Sequence, residues 1–212
     1  IIGLNTGAFA LGAAGLLETA LRLAAEGTSE GAAEGASEGD RHPNAVRFAL
    51  WSAEESGLLG SEHYVGELTR RQREDIALYL NFDMIGSPNP GWFVYDGDAV
   101  EREAPGSAGI ERELAGFLGS RGHATRSAAF DGRSDYAPFL DAGIPAGGLF
   151  TGAEGVMTRA EARLWDGRAG EAYDPCYHAA CDDLDNISNT ALTSNAKAIA
   201  HTIGAYAWHA PS

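Results

Sequence analysis

Two stretches of nearly unbroken apolar residues, 45–51 and 76–85, constrain the fold of this chain more than any other feature. Each is long enough for a strand, and such continuous apolar character is typical of strands that are covered on both faces of a sheet. Segments with helical character follow both stretches. Strands that alternate with helices favour an α/β fold, here a three-layer α/β/α arrangement around a mostly parallel, doubly wound mixed sheet.

The rest of the pattern supplies the other elements of this fold. It predicts strands over 92–95 and 145–150, helices over 13–26, 57–68, 108–120, 159–165 and 187–208, and a helical turn or short helix over 134–141. The last helix has an apolar face formed by Leu192, Ala196, Ile199, Ile203 and Tyr206. Ligands of doubly wound sheets bind at the carboxyl ends of the strands, so we expect the functional site there.

A single domain spanning residues 1–212 is the natural expectation for a chain of this length. Residues 27–44 contain a four-residue repeat that is rich in Gly and Glu and lacks large apolar side chains, which predicts an acidic surface loop. The chain starts at Ile1, with neither an initiator Met nor a signal-peptide pattern. We therefore expect a domain that lacks its N-terminal part.

The charge of the chain excludes several classes of partner. The formal net charge is −15, and Lys197 is the only lysine. A surface of this sign repels nucleic-acid phosphates and anionic lipids, and no apolar run is long enough to cross a bilayer. We therefore expect neither a nucleic-acid partner nor a membrane partner.

The two cysteines, Cys176 and Cys181, are too few for a disulfide scaffold or for a four-cysteine zinc site. We interpret them as a short disulfide, with metal ligation as the alternative. A disulfide favours an oxidising compartment and hence a secreted or extracellular protein. Its expected role is to fix the shape of the loop that contains Tyr177 and His178.

Polar residues that could carry chemistry lie at the ends of the buried strands and in this loop. Glu54 and Glu55 follow the first strand, where one carboxylate could bind a metal while the other handles a proton, or both could be solvated at a helix start. Asp83 lies in the second apolar run, where a carboxylate needs a metal, an Arg or backbone donors. His178 offers an imidazole, which is a good zinc ligand.

The sequence contains one residue pair that could belong to another type of catalytic site, that of a serine hydrolase. Ser134 stands beside Asp135, but nothing marks a nucleophile turn there, so a serine hydrolase is unsupported. The chain also lacks the His-Glu-x-x-His pattern of another class of zinc peptidase.

Five segments, in the family's order, resemble the co-catalytic zinc aminopeptidases of the secreted bacterial leucyl aminopeptidase type. They are residues 46–61 (VRFALWSAEESGLLGS), 81–87 (NFDMIGS), 132–139 (GRSDYAPF), 142–154 (AGIPAGGLFTGAE) and 173–182 (YDPCYHAACD). Five ordered matches are far more specific than any one of them. The resemblance implies a zinc exopeptidase fold and the hydrolysis of apolar, leucine-like residues from the N-termini of peptides or proteins.

The resemblance implies a role for each of the acidic residues and for the histidine. Glu54 would be the general base that takes a proton from the zinc-bound water, which is the nucleophile. Glu55 and His178 would bind one zinc ion and Asp83 the other. Two zinc ions can hold an attacking oxygen and an amino terminus together. A calcium ion is known in related bacterial enzymes, but this sequence has no specific motif for it.

The resemblance also implies contacts with the substrate. Tyr177 would donate a hydrogen bond to the tetrahedral oxyanion, and Arg133 would hold the substrate backbone or the developing charge. Phe150 and Met84 would line an apolar pocket for the first side chain. Carboxylates near this pocket suit a positively charged substrate amine.

The sequence departs from the family where a His and a bridging Asp are expected, before the first helix. Residues 3–10 contain neither, and no Asp occurs before Asp40. Three explanations of this departure stay open. Upstream residues are missing, or the chain is a catalytically impaired peptide- or protein-binding module. In the third, one of Asp135, Asp182 and Asn5 takes the place of a missing metal ligand. Within the enzymes, a carboxypeptidase or dipeptidase relative is a weaker alternative. Catalytic zinc usually has three protein ligands.

Overall fold

The computed structural model describes residues 2–4, 9–27 and 42–209. In these ranges, six strands form one sheet with the order β2-β1-β3-β6-β4-β5. The strands are β1 (Ile2–Leu4), β2 (Phe48–Leu50), β3 (Tyr79–Phe82), β4 (Phe93–Tyr95), β5 (Arg126–Ala128) and β6 (Ala146–Phe150). The Gly- and Glu-rich repeat and Asn5 lie outside the described residues.

Most neighbouring strands of this sheet run in parallel. Strands β2 and β3 both pair in parallel with β1, and β6 pairs in parallel with β3. Strand β4 is antiparallel to β6 and parallel to β5. The sheet is therefore mixed and mostly parallel, as predicted, and the carboxyl ends of β2, β1, β3 and β6 meet at one edge.

Seven α-helices in the described ranges accompany the sheet. They are α1 (Phe9–Gly27), α2 (Leu59–Glu67), α3 (Arg70–Glu74), α4 (Ser107–Ser120), α5 (Ala137–Asp141), α6 (Arg159–Trp165) and α7 (Asn189–Trp208). Thr69 and Thr158 cap α3 and α6, because each hydroxyl accepts a hydrogen bond from a backbone N–H of the first turn. None of these helices combines the length and the apolar character that crossing a bilayer requires.

Strand β3 lies between two hydrophobic clusters. One cluster contains Leu80 and Phe82 together with side chains of α1, α4 and α7. The other contains Tyr79 together with side chains of α2 and α5. Because successive side chains of a strand point to opposite faces, the helices cover both faces of the sheet. This is the predicted three-layer α/β/α arrangement.

Several elements differ from the sequence-based expectation. Strands β2 and β3 are shorter than the apolar stretches that contain them, and β1, α3 and β5 were not predicted. Strand β5 has the sequence Arg-Ser-Ala and lies at the edge of the sheet, where two of its three residues are exposed, so no apolar pattern marks it. In α1, Leu16 is buried, whereas Leu17 and Leu21 are exposed.

Candidate active site

A cleft of about 340 Å³ opens at the edge where the parallel strands end. It brings together every residue that the sequence analysis assigned to catalysis or to metal binding. The lining residues are Glu54, Glu55, Gly57, Leu58, Asp83, Met84, Gly132, Arg133, Tyr177 and His178. Of these, Gly57, Leu58 and Gly132 were not singled out from the sequence.

The two adjacent glutamates lie in a tight turn shortly after β2, a short 3-10 helix over Glu54–Ser56. The carbonyl of Glu54 accepts hydrogen bonds from the backbone N–H groups of Gly57 and Leu58, at 2.9 and 2.8 Å. Glu54 is buried, whereas the side chain of Glu55 is about half exposed. The turn thus places the two carboxylates in different environments. This is required if one of two adjacent glutamates transfers a proton while the other binds a metal.

Asp83 follows β3 directly and is held by a chain of buried polar side chains. Trp51 Nε1–H donates to the Tyr79 hydroxyl at 3.0 Å, and this hydroxyl donates to Asn81 Oδ1 at 3.1 Å. Asn81 Nδ2 donates to Ser134 Oγ at 2.9 Å, and the Ser134 hydroxyl donates to Asp83 Oδ2 at 3.1 Å. Each polar group in this series has another side chain as its hydrogen-bond partner. The series of hydrogen bonds therefore orients the Asp83 carboxylate.

His178 enters the cleft from the loop that the disulfide Cys176–Cys181 closes, and this disulfide was predicted. Its Nε2 atom lies 2.7 Å from Oε1 of Glu55. The ring of Tyr177 stacks on the imidazole with a centroid separation of 3.9 Å. Partial burial raises the pKa of the Tyr177 hydroxyl above its usual value, and the carboxylate of Glu55 raises it further. Tyr177 therefore keeps its proton at neutral pH and can donate a hydrogen bond.

Arg133 also lines the cleft, from the loop between β5 and α5. Its guanidinium Nη2 lies 3.0 Å from Oε1 of Glu154, and both side chains are more than half exposed. The hydrogen bond and the charge of Glu154 raise the pKa of Arg133 further. An exposed ion pair of this kind contributes little to stability, so Arg133 can exchange Glu154 for another anion.

Of the two predicted apolar pocket residues, the structure brings one to the cleft. Met84 is buried and lines it, and its carbonyl accepts a hydrogen bond from the backbone N–H of Thr151 at 2.8 Å. Phe150 lies outside the lining, where it packs beside the rings of Phe93 and Tyr95 with centroid separations of 6.1 and 6.5 Å. Its contact with substrate stays a prediction.

Left-handed backbone conformations cluster at this cleft. Among the described residues other than glycine, five have a positive φ: Ala53, Leu58, Met84, Asp166 and His178. Three of them line the cleft, and Ala53 directly precedes Glu54. Such conformations are unfavourable for side chains with a Cβ and collect at functional sites, where surrounding contacts maintain them.

The donors in the cleft fit zinc in type, since zinc takes imidazole nitrogen and carboxylate oxygen ligands. Glu55 and His178 are in contact, and Asp83 lines the same cleft. Within residues 2–4, 9–27 and 42–209, however, no three His, Cys, Asp or Glu side chains form a group that could hold a metal. The described donors thus match zinc in kind and fall short in number.

The residues considered as replacement ligands do not complete this set in the described structure. Asp135 is fully buried and accepts a hydrogen bond from Ser61, and Asp182 accepts one from Asn186. Neither Asp135 nor Asp182 lines the cleft. Asn5 lies outside the described residues.

Comparison with known sequences decides the family. A sequence model of peptidase family M28 matches residues 9–203. The chain belongs to peptidase family M28. This agrees with the resemblance that the five ordered segments carry.

Several whole proteins are similar to this M28 chain. An aminopeptidase of Pseudomonas aeruginosa is 51% identical over 160 residues, which are 74% of this chain and 30% of that protein. Leupeptin-inactivating enzyme 1 of Streptomyces exfoliatus is 45% identical over 193 residues, which are 91% of this chain and 39% of that protein. The M28 chain therefore spans well under half the length of these relatives.

The fold of the M28 chain is also similar to solved structures. The crystal structure of BSAP, a zinc aminopeptidase from Bacillus subtilis, matches it with a TM-score of 0.66 and 20% identity, over 96% of this chain and 44% of that one. At this identity the likeness concerns the fold, and it agrees with the α/β arrangement described above.

Sequence reasoning missed the polar side chains beneath the cleft, Tyr79, Asn81 and Ser61. A signal for two of them was present. Tyr79 and Asn81 interrupt a strand in which all four residues are buried, and buried polar groups require partners. A polar side chain in such a strand indicates a hydrogen-bond network, although the partners are distant in sequence.

Proposed function

We propose that this chain carries the catalytic chemistry of a zinc-dependent aminopeptidase that removes apolar, leucine-like residues from peptide N-termini. One observation carries the proposal: Glu54, the metal-binding candidates, Tyr177 and Arg133 all line one cleft at the carboxyl ends of parallel strands. Membership of a peptidase family and the names of the two similar enzymes support it.

In this proposal the residues of the cleft have distinct roles in metal binding, proton transfer and stabilisation of the oxyanion. Glu55 and His178 would hold zinc, with Asp83 beside them, and a bound zinc ion would supply Lewis-acid activation of water and of the scissile carbonyl. Glu54, buried next to this pair, takes a proton from the attacking water and returns it to the leaving amine. Tyr177 donates a hydrogen bond to the oxyanion that develops on the carbonyl oxygen.

The substrate class follows from charge and from the apolar part of the lining. The carboxylates of the cleft attract the ammonium group of a peptide N-terminus. Met84 and Leu58 offer apolar surface to its first side chain. The disulfide Cys176–Cys181 supports an extracellular location, where oxidised cysteines persist.

A second candidate is a catalytically impaired homologue that binds peptides or proteins without cleaving them. The short donor set among the described residues favours it, because a catalytic zinc usually has three protein ligands. Such a module would bind peptide amines in the same cleft and would not take up tightly held zinc.

Zinc content and hydrolysis of leucine p-nitroanilide, measured on the same preparation, separate the two candidates. Protein dialysed against zinc, with and without calcium, is analysed for metal per chain and then assayed. The enzyme hypothesis expects bound zinc and a rate that Glu54→Gln lowers by about 10²–10⁴-fold with the zinc retained. Glu62→Gln, which removes an exposed carboxylate from α2, is the matched control and should leave the rate unchanged.

One result would reject the enzyme hypothesis, and another would reject the role of Glu54 in it. Protein that releases no leucine product after dialysis against zinc would reject the enzyme, and a lack of tightly held zinc in the same protein would favour the binding module. A rate that Glu54→Gln does not change would show that another group provides the base. The number of zinc ions per chain, two in the family resemblance, comes from the same metal analysis.

A further inference from the structure

Asp135 lies directly behind the cleft without lining it. It follows Ser134, whose hydroxyl donates to Asp83. The Asp135 side chain is completely buried, and its Oδ1 atom accepts a hydrogen bond from Ser61 Oγ at 2.5 Å. Its Oδ2 atom is also buried, and it has no hydrogen-bond partner in the described part of the chain.

A carboxyl group in this position is unfavourable for the folded state. Burial raises the pKa of Asp135 to about 6, the hydrogen bond from Ser61 lowers it, and the negative charge of Glu54 raises it again. At neutral pH the group is therefore an ionised carboxylate with one unbonded oxygen, close enough to Glu54 for their charges to oppose each other. Unsatisfied buried groups of this kind require an explanation.

Asp135 is connected to the turn of Glu54 through two residues. The Ser61 hydroxyl, which bonds Asp135, also lies 3.1 Å from the carbonyl oxygen of Leu58. The backbone N–H of Leu58 in turn donates to the carbonyl of Glu54 at 2.8 Å. A single short path therefore joins the buried carboxylate to the backbone of the candidate base.

We propose that Asp135 is a positioning residue for Glu54: it anchors the turn through Ser61, and its charge repels the Glu54 carboxylate towards the cleft. Like charges repel strongly where water is excluded, so the outward orientation of Glu54 is the one that relieves the repulsion. Asp135 touches neither the cleft nor a substrate and acts through Glu54. The catalytic consequence rests on the proposed function, whereas the coupling between the two carboxylates does not.

The variant Asp135→Asn tests this role, because it keeps the size of the side chain and an acceptor for Ser61 and removes the charge. We expect kcat for leucine p-nitroanilide to fall by about tenfold or more, with KM changed by less than about twofold. We also expect the melting temperature to rise by about 3 °C or more at about pH 8, since an unfavourable charge is lost. If Asp135 had only a structural role, its substitution would lower the melting temperature and would change KM together with kcat.

A double-mutant cycle on the melting temperature tests the coupling without any catalysis. In the Glu54→Gln background the repelling partner has lost its charge, so Asp135→Asn should raise the melting temperature by less than it does in the wild-type background, while the part of the effect that comes from burial remains. Glu67→Gln, an exposed charge change at the end of α2, is the control and should be additive with Glu54→Gln.

The outcomes separate this inference from the proposed function. An additive cycle, a lowered melting temperature or failure of Asp135→Asn to fold would overturn the positioning role. A kcat unchanged by Asp135→Asn, in an enzyme that Glu54→Gln inactivates, would overturn it as well. If the wild-type chain has no activity, the proposed function fails, and the cycle alone then decides whether Asp135 and Glu54 are coupled.

Discussion

The Nε2 atom of His178 lies 2.7 Å from Oε1 of Glu55, which joins the disulfide-closed loop to the turn after β2. Both side chains are about half exposed, so the pair faces the cleft and not the core. Two donors of the kind that zinc prefers are thus already in contact in the folded chain. This contact places the candidate metal site at the mouth of the cleft, beside the buried Glu54.

Replacing His178 by Ala should lower the affinity for zinc by more than about 100-fold, beyond the effect of changing an outer-shell residue. The matched control is His201→Ala, because His201 forms a similar pair with Glu113, at 2.9 Å, between two helices remote from the cleft. Zinc affinity is measured by competition with a chelator. An equal effect of the two substitutions would remove His178 from the metal site.

Replacing Tyr79 by Phe should lower the free energy of unfolding by about 1–3 kcal/mol, the cost of leaving buried polar groups unpaired. The Trp51 indole would lose its acceptor and Asn81 Oδ1 its donor, while the ring keeps its stacking on Phe139 at 3.9 Å. Urea unfolding measures the change. The exposed Arg47–Tyr64 hydrogen bond supplies the control, and a loss no larger than that of Tyr64→Phe would contradict the prediction.

The charge of Asp135 should make the chain less stable as the pH rises from about 4 to about 6. Folding raises the pKa of this carboxyl from 3.8 to about 6, so the unfolded chain releases the proton first and is favoured. The buried groups whose charges or hydroxyls face it are Glu54, Tyr79 and Ser61. The two-unit difference corresponds to about 3 kcal/mol above pH 6.

Urea unfolding at several pH values checks this directly. The free energy of unfolding of Asp135→Asn minus that of the wild type should be near zero at about pH 4 and should increase up to about pH 7. Titrating groups that do not interact with Asp135 cancel in this difference. A difference that does not depend on pH would show that Asp135 has an ordinary pKa in the folded chain.

Removing the disulfide with the double substitution Cys176→Ser and Cys181→Ser should affect the site more than the fold. The closed loop is short, and the chain-entropy model gives a loss of only about 2 kcal/mol in stability. His178 has a φ of 55° within this loop, so a loosened loop should no longer keep the imidazole at Glu55. We expect zinc affinity to fall by about tenfold or more while the chain stays folded; unchanged zinc affinity would show that the disulfide does not position His178.

Much of the fold is readable from local patterns in the sequence. The helix predicted over 159–165 coincides with α6, because a capping box at Thr158 and Glu161 marks its start. The apolar stretches predict the strands β2 and β3 but not their lengths. The expectation of a strand covered on both faces is confirmed for β3, which is buried throughout, and is wrong for β2, which lies at the edge of the described sheet with Leu50 exposed. Strand β5 and helix α3 escaped prediction because neither has an apolar face that would mark it.

The candidate site was predictable in a different way. Glu54, Asp83 and His178 could be named because their residue types suit zinc chemistry and because ordered segments resemble a family. Phe150 was named on the same basis, yet it packs against Phe93 and Tyr95 outside the lining. A motif specifies the types and the order of residues. It does not specify which side chains at the end of a strand line the cleft.

The sequence by itself determined the alternation of strands and helices, the acidic charge and the candidate donors at strand ends, because these depend on local periodicity and composition. Only the tertiary structure decided which distant residues meet. The contact of His178 with Glu55 and the burial of Asp135 behind Glu54 depend on how the loop and the helices pack on the sheet. Burial and neighbouring charge then set the chemistry of each carboxyl, and neither is a property of the residue alone.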